Sequence, residues 1–283
     1  MKFSVASFRA WENRSVTLLG MSGVGKTYLS SLLREHNWFH YSGDYRIGTR
    51  YLDEPIMDLI KQQAMQVRFL RDLLRRDWIY IRNNIKVDDL GPVLSFVGKL
   101  GNPELGGVPL DEFSRHQALY REAEIKAMRD VPEFTRKARE IYGYQHFVND
   151  VGGSLCELDE PSVIDLLVEH TLILYIKVTD REEEQKLIER AQSDPKPLYY
   201  RPEFLAEQLE VYLRENGLGY AAQMDPDAFT RWVFPRLFHS RIPRYEAIAG
   251  PHGYTVTSRE VAQVRDEGDF LQLLETAIAR GGA

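Results

Sequence analysis

The sequence predicts an α/β fold, a three-layer sandwich built around a five-stranded, mainly parallel sheet. Short apolar segments alternate with amphipathic ones, which is typical of parallel strands joined by helices. A glycine-rich loop lies between the first apolar segment and the first amphipathic one. Acidic residues follow two of the apolar segments, at the strand ends where open α/β sheets place ligand contacts. We expect strands at 16–19, 38–41, 144–149, 171–178 and 254–257.

The composition is that of a chain with a substantial core. Of its 283 residues 43% are hydrophobic, and no apolar run approaches the roughly 18 residues of a membrane span. Residues 1–14 carry charges and no long apolar core, so they do not have the pattern of a secretory signal. The single cysteine, Cys156, excludes an internal disulfide and fits a reducing, cytoplasmic setting. The net charge of −6 argues against broad, non-specific binding of nucleic acid.

The glycine-rich loop at 20–27 fits the phosphate-loop pattern G-x-x-x-x-G-K-[ST] at every fixed position. Its glycines allow successive N–H groups to face an anion, and the following helix adds the positive end of its dipole. Lys26 supplies a charge for the γ-phosphate and Thr27 a hydroxyl ligand for Mg²⁺. We therefore expect ATP and Mg²⁺ as cofactors. The expected contacts are Gly20, Ser22, Gly23, Val24, Gly25, Lys26, Thr27 and Tyr28.

Asp44 follows the second predicted strand, with Arg46 and Arg50 close behind it. This position predicts contact with a substrate, and the planar fork of arginine suits an anionic group. The alternative is a solvated loop in which Asp44 pairs with one of the arginines.

Asp150 directly follows the third predicted strand, and Gly152 and Gly153 come shortly after it. An acid after a buried strand predicts a carboxylate that holds Mg²⁺ through water, with the glycines beside the substrate. The alternative is that Asp150 forms a structural turn.

The rest of the chain predicts one domain, 1–283, with two helical additions. Residues 51–142 form an insertion with a helix at 55–76, a strand or buried turn at 78–81, and helices at 110–128 and 130–142. Asp130 is the expected cap of the last helix, with Glu133 completing a capping box. Further helices are expected at 202–215 and 226–240, within an addition spanning 202–247.

A lid-like segment is predicted at 180–201, after the fourth strand. Thr179 and Glu182 form a capping box that starts a helix to about residue 191, and a loop with prolines follows. Arg190 on this helix, with Arg181 or Arg201, is placed to meet phosphates when such a segment closes.

With these elements in place, the chain resembles the P-loop small-molecule kinases, the group that contains nucleoside monophosphate kinases and shikimate kinase. Four segments carry the resemblance: 20–27, 42–46, 150–153 and 174–200. Residues 42–46 are similar to the Thr-Gly-Asp-x-x-Arg segment of adenylate kinases, although Arg46 comes one residue early. The Asp-Gly-x-Pro-Arg of adenylate kinases is missing at 150–154. The resemblance covers about half of the chain, and only the phosphate loop is specific by itself.

The resemblance implies a Mg²⁺-ATP-dependent phosphotransferase that acts on a hydroxyl or phosphate of a small molecule. The catalytic residues would be Lys26, Asp44, Asp150 and Arg190, with Thr27 and Asp150 organising Mg²⁺. Asp44 would orient or deprotonate the acceptor, and Arg190 would neutralise charge on the moving phosphoryl group. Arg46, Arg50, Gly152 and Gly153 would complete the substrate contacts.

Two alternatives stay open. Basic and aromatic residues between 68 and 86 would suit an RNA or polynucleotide acceptor. An acceptor-independent ATPase, acting as a nucleotide switch on a protein partner, would instead need a lone carboxylate that positions water, for which Glu157 is the candidate. A GTPase is disfavoured, since the sequence has no Asn-Lys-x-Asp element.

Overall fold

The computed structural model describes residues 2–281 and contains one five-stranded sheet in the order β2-β3-β1-β4-β5. Every neighbouring pair of strands is parallel. This arrangement confirms the predicted α/β class, and each predicted strand lies within two residues of an observed one. The strands are β1 (Ser15–Leu19), β2 (Trp38–Ser42), β3 (His146–Asp150), β4 (Leu172–Lys177) and β5 (Gly253–Thr257).

Fourteen α-helices connect and cover the strands within the described part of the chain. They are α1 (Val5–Arg9), α2 (Lys26–Arg34), α3 (Gly43–Arg46), α4 (Asp53–Ala64), α5 (Arg68–Leu74), α6 (Gly91–Val97), α7 (Leu110–Arg129), α8 (Val131–Glu140), α9 (Pro161–His170), α10 (Arg181–Ser193), α11 (Pro202–Glu215), α12 (Pro226–His252), α13 (Ser258–Val261) and α14 (Glu267–Gly281). Between residues 2 and 281, none of them has both the length and the apolar character needed to cross a bilayer.

Aromatic side chains of the strands show how the layers are arranged. Trp38 packs edge-on against Phe270 of α14, whereas the next residue, Phe39, meets Phe134 of α8. Since successive residues of a strand point to opposite faces, α14 and α8 lie on opposite sides of the sheet. The predicted three-layer sandwich is therefore confirmed, and the carboxyl ends of its parallel strands share one edge.

The insertion at 51–142 differs from its prediction in three ways. The helix expected at 55–76 is two helices, α4 and α5. The strand or buried turn expected at 78–81 is irregular and open to solvent, with Trp78 66% and Tyr80 81% exposed. Asp130 is the N-cap residue of α8, as predicted, but its side chain makes no capping hydrogen bond, because the carboxylate accepts hydrogen bonds from Arg46 and Tyr51, each 2.7 Å long.

Helix α12 is much longer than the helix expected at 226–240. It continues to His252 although Pro235, Pro243 and Pro251 lie inside it. Proline removes a backbone donor and argues against a helix in sequence reasoning, but here a continuous buried face outweighs that cost. The extension places Arg241 and Tyr245 beside the carboxyl edge of the sheet. Helix α10 shows a smaller difference, since Asp180 rather than Thr179 caps it.

Candidate functional site

The phosphate loop occupies the turn between β1 and α2, as predicted. Gly20 and Gly23 have φ values of +147° and +91°, in the region that glycine favours. A Cβ on Gly20 would lie 2.7 Å from the carbonyl oxygen of Ile176, and one on Gly23 would lie 2.9 Å from Arg190 Nη2. The backbone contact at Gly20 therefore excludes a side chain, the positive φ of Gly23 disfavours one, and Gly23 brings the loop against the Arg190 guanidinium.

Lys26, the first residue of α2, is folded back into this loop. Its Nζ donates hydrogen bonds to the carbonyl oxygens of Gly20 at 2.7 Å and Met21 at 2.9 Å. Burial lowers the pKa of Lys26, while the carboxylates of Asp150 and Asp44 oppose that shift. The ammonium group thus lies among loop carbonyls, next to two acids.

Asp150 and Thr27 meet at the end of β3, as the metal prediction requires. The Thr27 hydroxyl donates to Asp150 Oδ2 at 3.1 Å, and His40 Nε2 lies 3.8 Å from the same oxygen. A hydroxyl and a carboxylate are hard oxygen ligands of the kind that Mg²⁺ prefers. Within residues 2–281, no group of three or more acidic, histidine or cysteine side chains could hold a metal by itself. The fit is therefore to an ion that takes its other ligands from phosphate and water.

Asp44 lies on α3, directly after β2, and faces the same space. Burial and the nearby charge of Asp150 raise the pKa of Asp44 to about 6, against the pull of Lys26. Tyr120 donates a hydrogen bond of 3.3 Å to Asp44 Oδ1. A carboxyl group with a pKa in this range gains and loses a proton near neutral pH, which suits a general base.

Helix α7 supplies two residues that sequence reasoning missed, Tyr120 and Glu124. Glu124 has no exposed surface, and its Oε2 accepts a 2.6 Å hydrogen bond from Ser154. Burial, with the charge of Asp44, raises the pKa of Glu124 to about 8. One signal was available, because Glu124 falls at helical spacing on the stripe that carries Tyr120 and Ala127. An acidic residue at a buried position of a helix is unusual unless it is paired or has a functional role.

Helix α12 supplies a buried ion pair that was also missed. Arg241, 4% exposed, donates to Glu157 Oε2 at 2.9 Å and to the carbonyl oxygen of Tyr199 at 2.8 Å. Arg201 Nε lies 3.6 Å from the other oxygen of Glu157. Tyr245 donates a hydrogen bond to the carbonyl oxygen of Gly153. These contacts fix the glycine segment after β3 against α12.

Two neighbouring cavities share the phosphate loop. The first, about 350 Å³, is lined by loop and strand-end residues and by Val87 and Leu90 of the insertion. The second, about 520 Å³, lies between α10 and α13 and has Leu187 and Val261 in its walls. Of the expected residues, the first cavity contains Ser22, Gly23, Gly25, Lys26, Thr27, Tyr28, Asp44, Asp150, Gly152, Gly153 and Arg190, and Val24 lines the second.

The arginines expected to bind the substrate are placed differently. Among the described residues that line the first cavity, Arg190 is present but Arg46 and Arg50 are not. Arg46 pairs with Asp130, and its guanidinium lies 4.8 Å from the ring centre of Phe134. Arg50 is exposed. Of the other lid arginines, Arg181 is exposed and Arg201 faces Glu157.

Neither a family model nor a curated protein matches this chain. Among solved structures, it is similar to a shikimate kinase from Bacteroides thetaiotaomicron, at 14% identity and a TM-score of 0.37. The match covers 94% of this chain and 95% of that one. At this distance the match identifies no family, so function has to be argued from the site.

Proposed function

We propose that this protein is a Mg²⁺-ATP-dependent phosphotransferase that moves the γ-phosphate to a hydroxyl or phosphate of a small molecule. The observation that carries the proposal is that Asp44 and Asp150 line one cavity with the phosphate loop. Ser42, at the end of β2, pairs with Asp150 in the sheet, so the register fixes the two acids as neighbours. One acid would serve the metal and the other the acceptor.

In the donor half, the loop amides and Lys26 would bind the β- and γ-phosphates. Thr27 and Asp150 would hold Mg²⁺, which when bound neutralises phosphate charge. Arg190 lines both cavities and would follow the phosphoryl group during transfer. The apolar walls of the second cavity, Leu187 and Val261, suit a flat nucleobase beyond the phosphates.

The acceptor half would centre on Asp44. When the acceptor is a hydroxyl group, the hydroxyl oxygen attacks the γ-phosphorus of ATP. The bond between this phosphorus and the β–γ bridging oxygen breaks, and ADP leaves. The hydroxyl proton passes to the Asp44 carboxylate. Tyr120, which donates to Asp44 Oδ1, would orient the carboxylate for that transfer.

The test is ATP consumption by the purified protein with and without a panel of small acceptors. Turnover is expected to rise well above the rate with water alone, and Lys26→Ala is expected to lower it by about a thousandfold or more, since charge stabilisation is a large term in phosphoryl transfer. Arg34→Ala is the matched control, because Arg34 is an exposed cation in the last turn of the same helix. Equal activity of Lys26→Ala and Arg34→Ala would refute the proposal.

An RNA acceptor is a second candidate, favoured by one observation. Phe69, Trp78 and Tyr80 are 70%, 66% and 81% exposed, on a segment rich in arginine. Aromatic platforms among cations bind single strands by stacking and charge. The segment leads into Val87 and Leu90, which line the first cavity.

A filter-binding assay with a 5′-hydroxyl oligoribonucleotide separates the two candidates. Binding that weakens steeply with salt and is lost in a Trp78→Ala/Tyr80→Ala double variant would support an RNA acceptor. Absence of RNA binding at low salt would exclude an RNA acceptor.

The structure gives no support to the nucleotide-switch alternative. Glu157, its candidate for positioning water, is 1% exposed and is paired with Arg241. Its side chain has no exposed surface, and Glu157 is not among the described residues that line the cavity of the phosphate loop, so it is not placed to orient a water molecule at the γ-phosphate.

A further inference from the structure

His40 is a buried histidine of β2 in the wall of the first cavity. Its side chain is 5% exposed, and it lines the cavity together with Thr27, Asp150 and the phosphate loop. Its Nε2 atom has no hydrogen-bond partner among the described residues. Buried polar atoms are normally paired, so an unpaired ring nitrogen at the edge of a candidate nucleotide site needs an explanation.

His146, at the start of the neighbouring strand β3, shows how a histidine with a structural role is held in this protein. Its side chain is 7% exposed, and its ring centre lies 4.7 Å from that of Trp38. Its Nδ1 accepts a hydrogen bond of 3.1 Å from the backbone N–H of Arg14. Packing and backbone pairing therefore account for His146, whereas they leave the Nε2 of His40 unexplained.

The register of the sheet fixes His40 beside Asp150. His40 pairs with Val148 across β2 and β3, and Asp150 lies two residues further along β3. Because residues two apart on a strand share a face, the side chains of His40 and Asp150 lie on the same face of the sheet. His40 Nε2 is 3.8 Å from Asp150 Oδ2, the oxygen that also accepts the hydrogen bond from Thr27. Both residues belong to strands, so their proximity does not depend on a loop.

The separation between these two atoms is too long for a hydrogen bond, but a small movement would make one. An N–H···O bond spans about 2.9 Å, so Nε2 and Oδ2 need to approach by about 1 Å. The χ2 torsion of aspartate is broad, and a rotation of the Asp150 carboxylate can supply that movement. Since a carboxylate attracts only a protonated ring nitrogen, His40 Nε2 is the donor in this contact.

Asp150 is the carboxylate that the proposed function assigns to Mg²⁺. Mg²⁺ prefers oxygen ligands, so the imidazole belongs behind the carboxylate and not on the ion. Carboxylates that serve a metal are themselves held by hydrogen bonds, which fix their orientation. Thr27 supplies one such bond, but its hydroxyl is also an expected ligand of the metal. His40 is placed to supply a second bond that does not compete for the ion.

We propose that His40 is a positioning residue for the metal site, and that its Nε2–H donates a hydrogen bond to Asp150 when nucleotide and Mg²⁺ are bound. The assignment rests on the proposed phosphotransferase function and adds to it a residue that acts through Asp150. Because the hydrogen bond forms together with metal binding, it raises the affinity for the metal and leaves the affinity for metal-free nucleotide unchanged.

The first experiment measures Mn²⁺ binding to the complex of the protein with ADP, from the loss of the EPR signal of free Mn²⁺. His40→Ala is expected to weaken Mn²⁺ binding by about ten- to a hundredfold, the usual effect of removing a residue that orients a metal ligand. The Kd for ADP in the presence of EDTA, measured by calorimetry, is expected to stay within about twofold of wild type. A merely structural role predicts equal changes with and without the metal.

Two conservative variants test which position of the donor matters. His40→Gln places an amide N–H at the reach of Nε2 and is expected to recover most of the Mn²⁺ affinity. His40→Asn is one bond shorter and is expected not to recover it. If His40→Ala does not fold, the difference between these two variants carries the test. His146→Gln is the matched control, since it changes a buried histidine outside the described cavity lining and is expected to leave Mn²⁺ affinity within about twofold.

NMR of protein labelled with ¹⁵N-histidine observes the hydrogen bond itself. Addition of Mg²⁺ to the ADP complex is expected to slow the exchange of the His40 Nε2 proton, so that its resonance appears downfield. ADP with EDTA is expected not to produce this resonance, and its loss in His40→Gln assigns it. In pulsed EPR of the Mn²⁺ complex, a nitrogen coupling of the size of a direct Mn–N bond would make His40 a ligand and overturn the positioning role.

The outcomes separate the role of His40 from the broader function. Unchanged Mn²⁺ affinity in His40→Ala, or equal affinity in His40→Gln and His40→Asn, overturns the role of His40. Failure of the wild-type protein to bind ADP and Mn²⁺ would instead contradict the phosphotransferase proposal itself.

Discussion

In the proposed function the phosphate loop holds the donor, whereas helix α7 supports Asp44 on the acceptor side, and the two differ in how their residues are arranged in the sequence. The loop at 20–27 would act largely through its backbone, and its glycines, lysine and threonine lie within eight consecutive residues. Helix α7 contributes single side chains, Tyr120 and Glu124, which meet Asp44 and Ser154 only after folding. A candidate nucleotide site can therefore be recognised from eight consecutive residues, whereas a candidate acceptor site depends on contacts between distant segments.

The substitution expected to have the largest effect on this comparison is the replacement of Asp44. Asp44→Asn is expected to lower acceptor-dependent turnover by about 10²- to 10⁴-fold, the usual range for a general base. ATP affinity, measured by calorimetry, is expected to change little because Lys26 and the loop remain. Asp58→Asn is the control, since Asp58 is 67% exposed on α4. Normal transfer by Asp44→Asn would show that the two sides are not divided as proposed.

The pH dependence of the wild-type enzyme gives a second test of Asp44. A base acts in its deprotonated form, and the pKa of Asp44 is raised to about 6. The value of kcat/KM, which reports the free enzyme, is therefore expected to fall about tenfold per pH unit below pH 6. A profile that stays flat down to pH 5 would count against Asp44 as the base.

Glu124 offers a test that needs no acceptor. Its folded-state pKa is raised to about 8, so the unfolded chain releases this proton first as the pH rises. Stability from this group is complete below the unfolded pKa near 4.5 and is lost as pH rises toward 8. Between pH 5 and pH 8, Glu124→Gln is expected to gain on the order of 3 kcal/mol relative to wild type. Urea denaturation at the two pH values measures the difference, and an equal offset at both would contradict it.

Substitution of Arg46 is expected to have the smallest effect, and it tests whether this residue contributes to acceptor binding. Its pairing with Asp130 predicts that Arg46→Ala lowers the free energy of unfolding by roughly 1–2 kcal/mol, because the pair is partly exposed. The KM values are expected to stay unchanged. Arg50→Ala, at an exposed position, is the control. A raised acceptor KM in Arg46→Ala alone would return Arg46 to the substrate contacts expected from sequence.

What could be predicted from sequence follows the same division. The strands were predictable because buried parallel strands form short apolar segments, and the neighbouring positions of Asp44 and Asp150 were predictable because strand ends gather at one edge. The pairing of Arg46 with Asp130 was not predicted, because Asp130 lies at the other end of the insertion and its side chain was expected to cap a helix. The predicted helix at 226–240 was shorter than α12 because prolines argue locally against a helix, whereas the buried face that stabilises α12 is seen only in the folded core.

The central claim, transfer of phosphate rather than hydrolysis, is tested most directly by ³¹P NMR of a reaction containing ATP, Mg²⁺ and the small acceptor of the panel that stimulates turnover most. We predict that ADP and a phosphate monoester accumulate in equal amounts, with little inorganic phosphate. Release of inorganic phosphate at the same rate with and without that compound, and no monoester signal, would contradict the account.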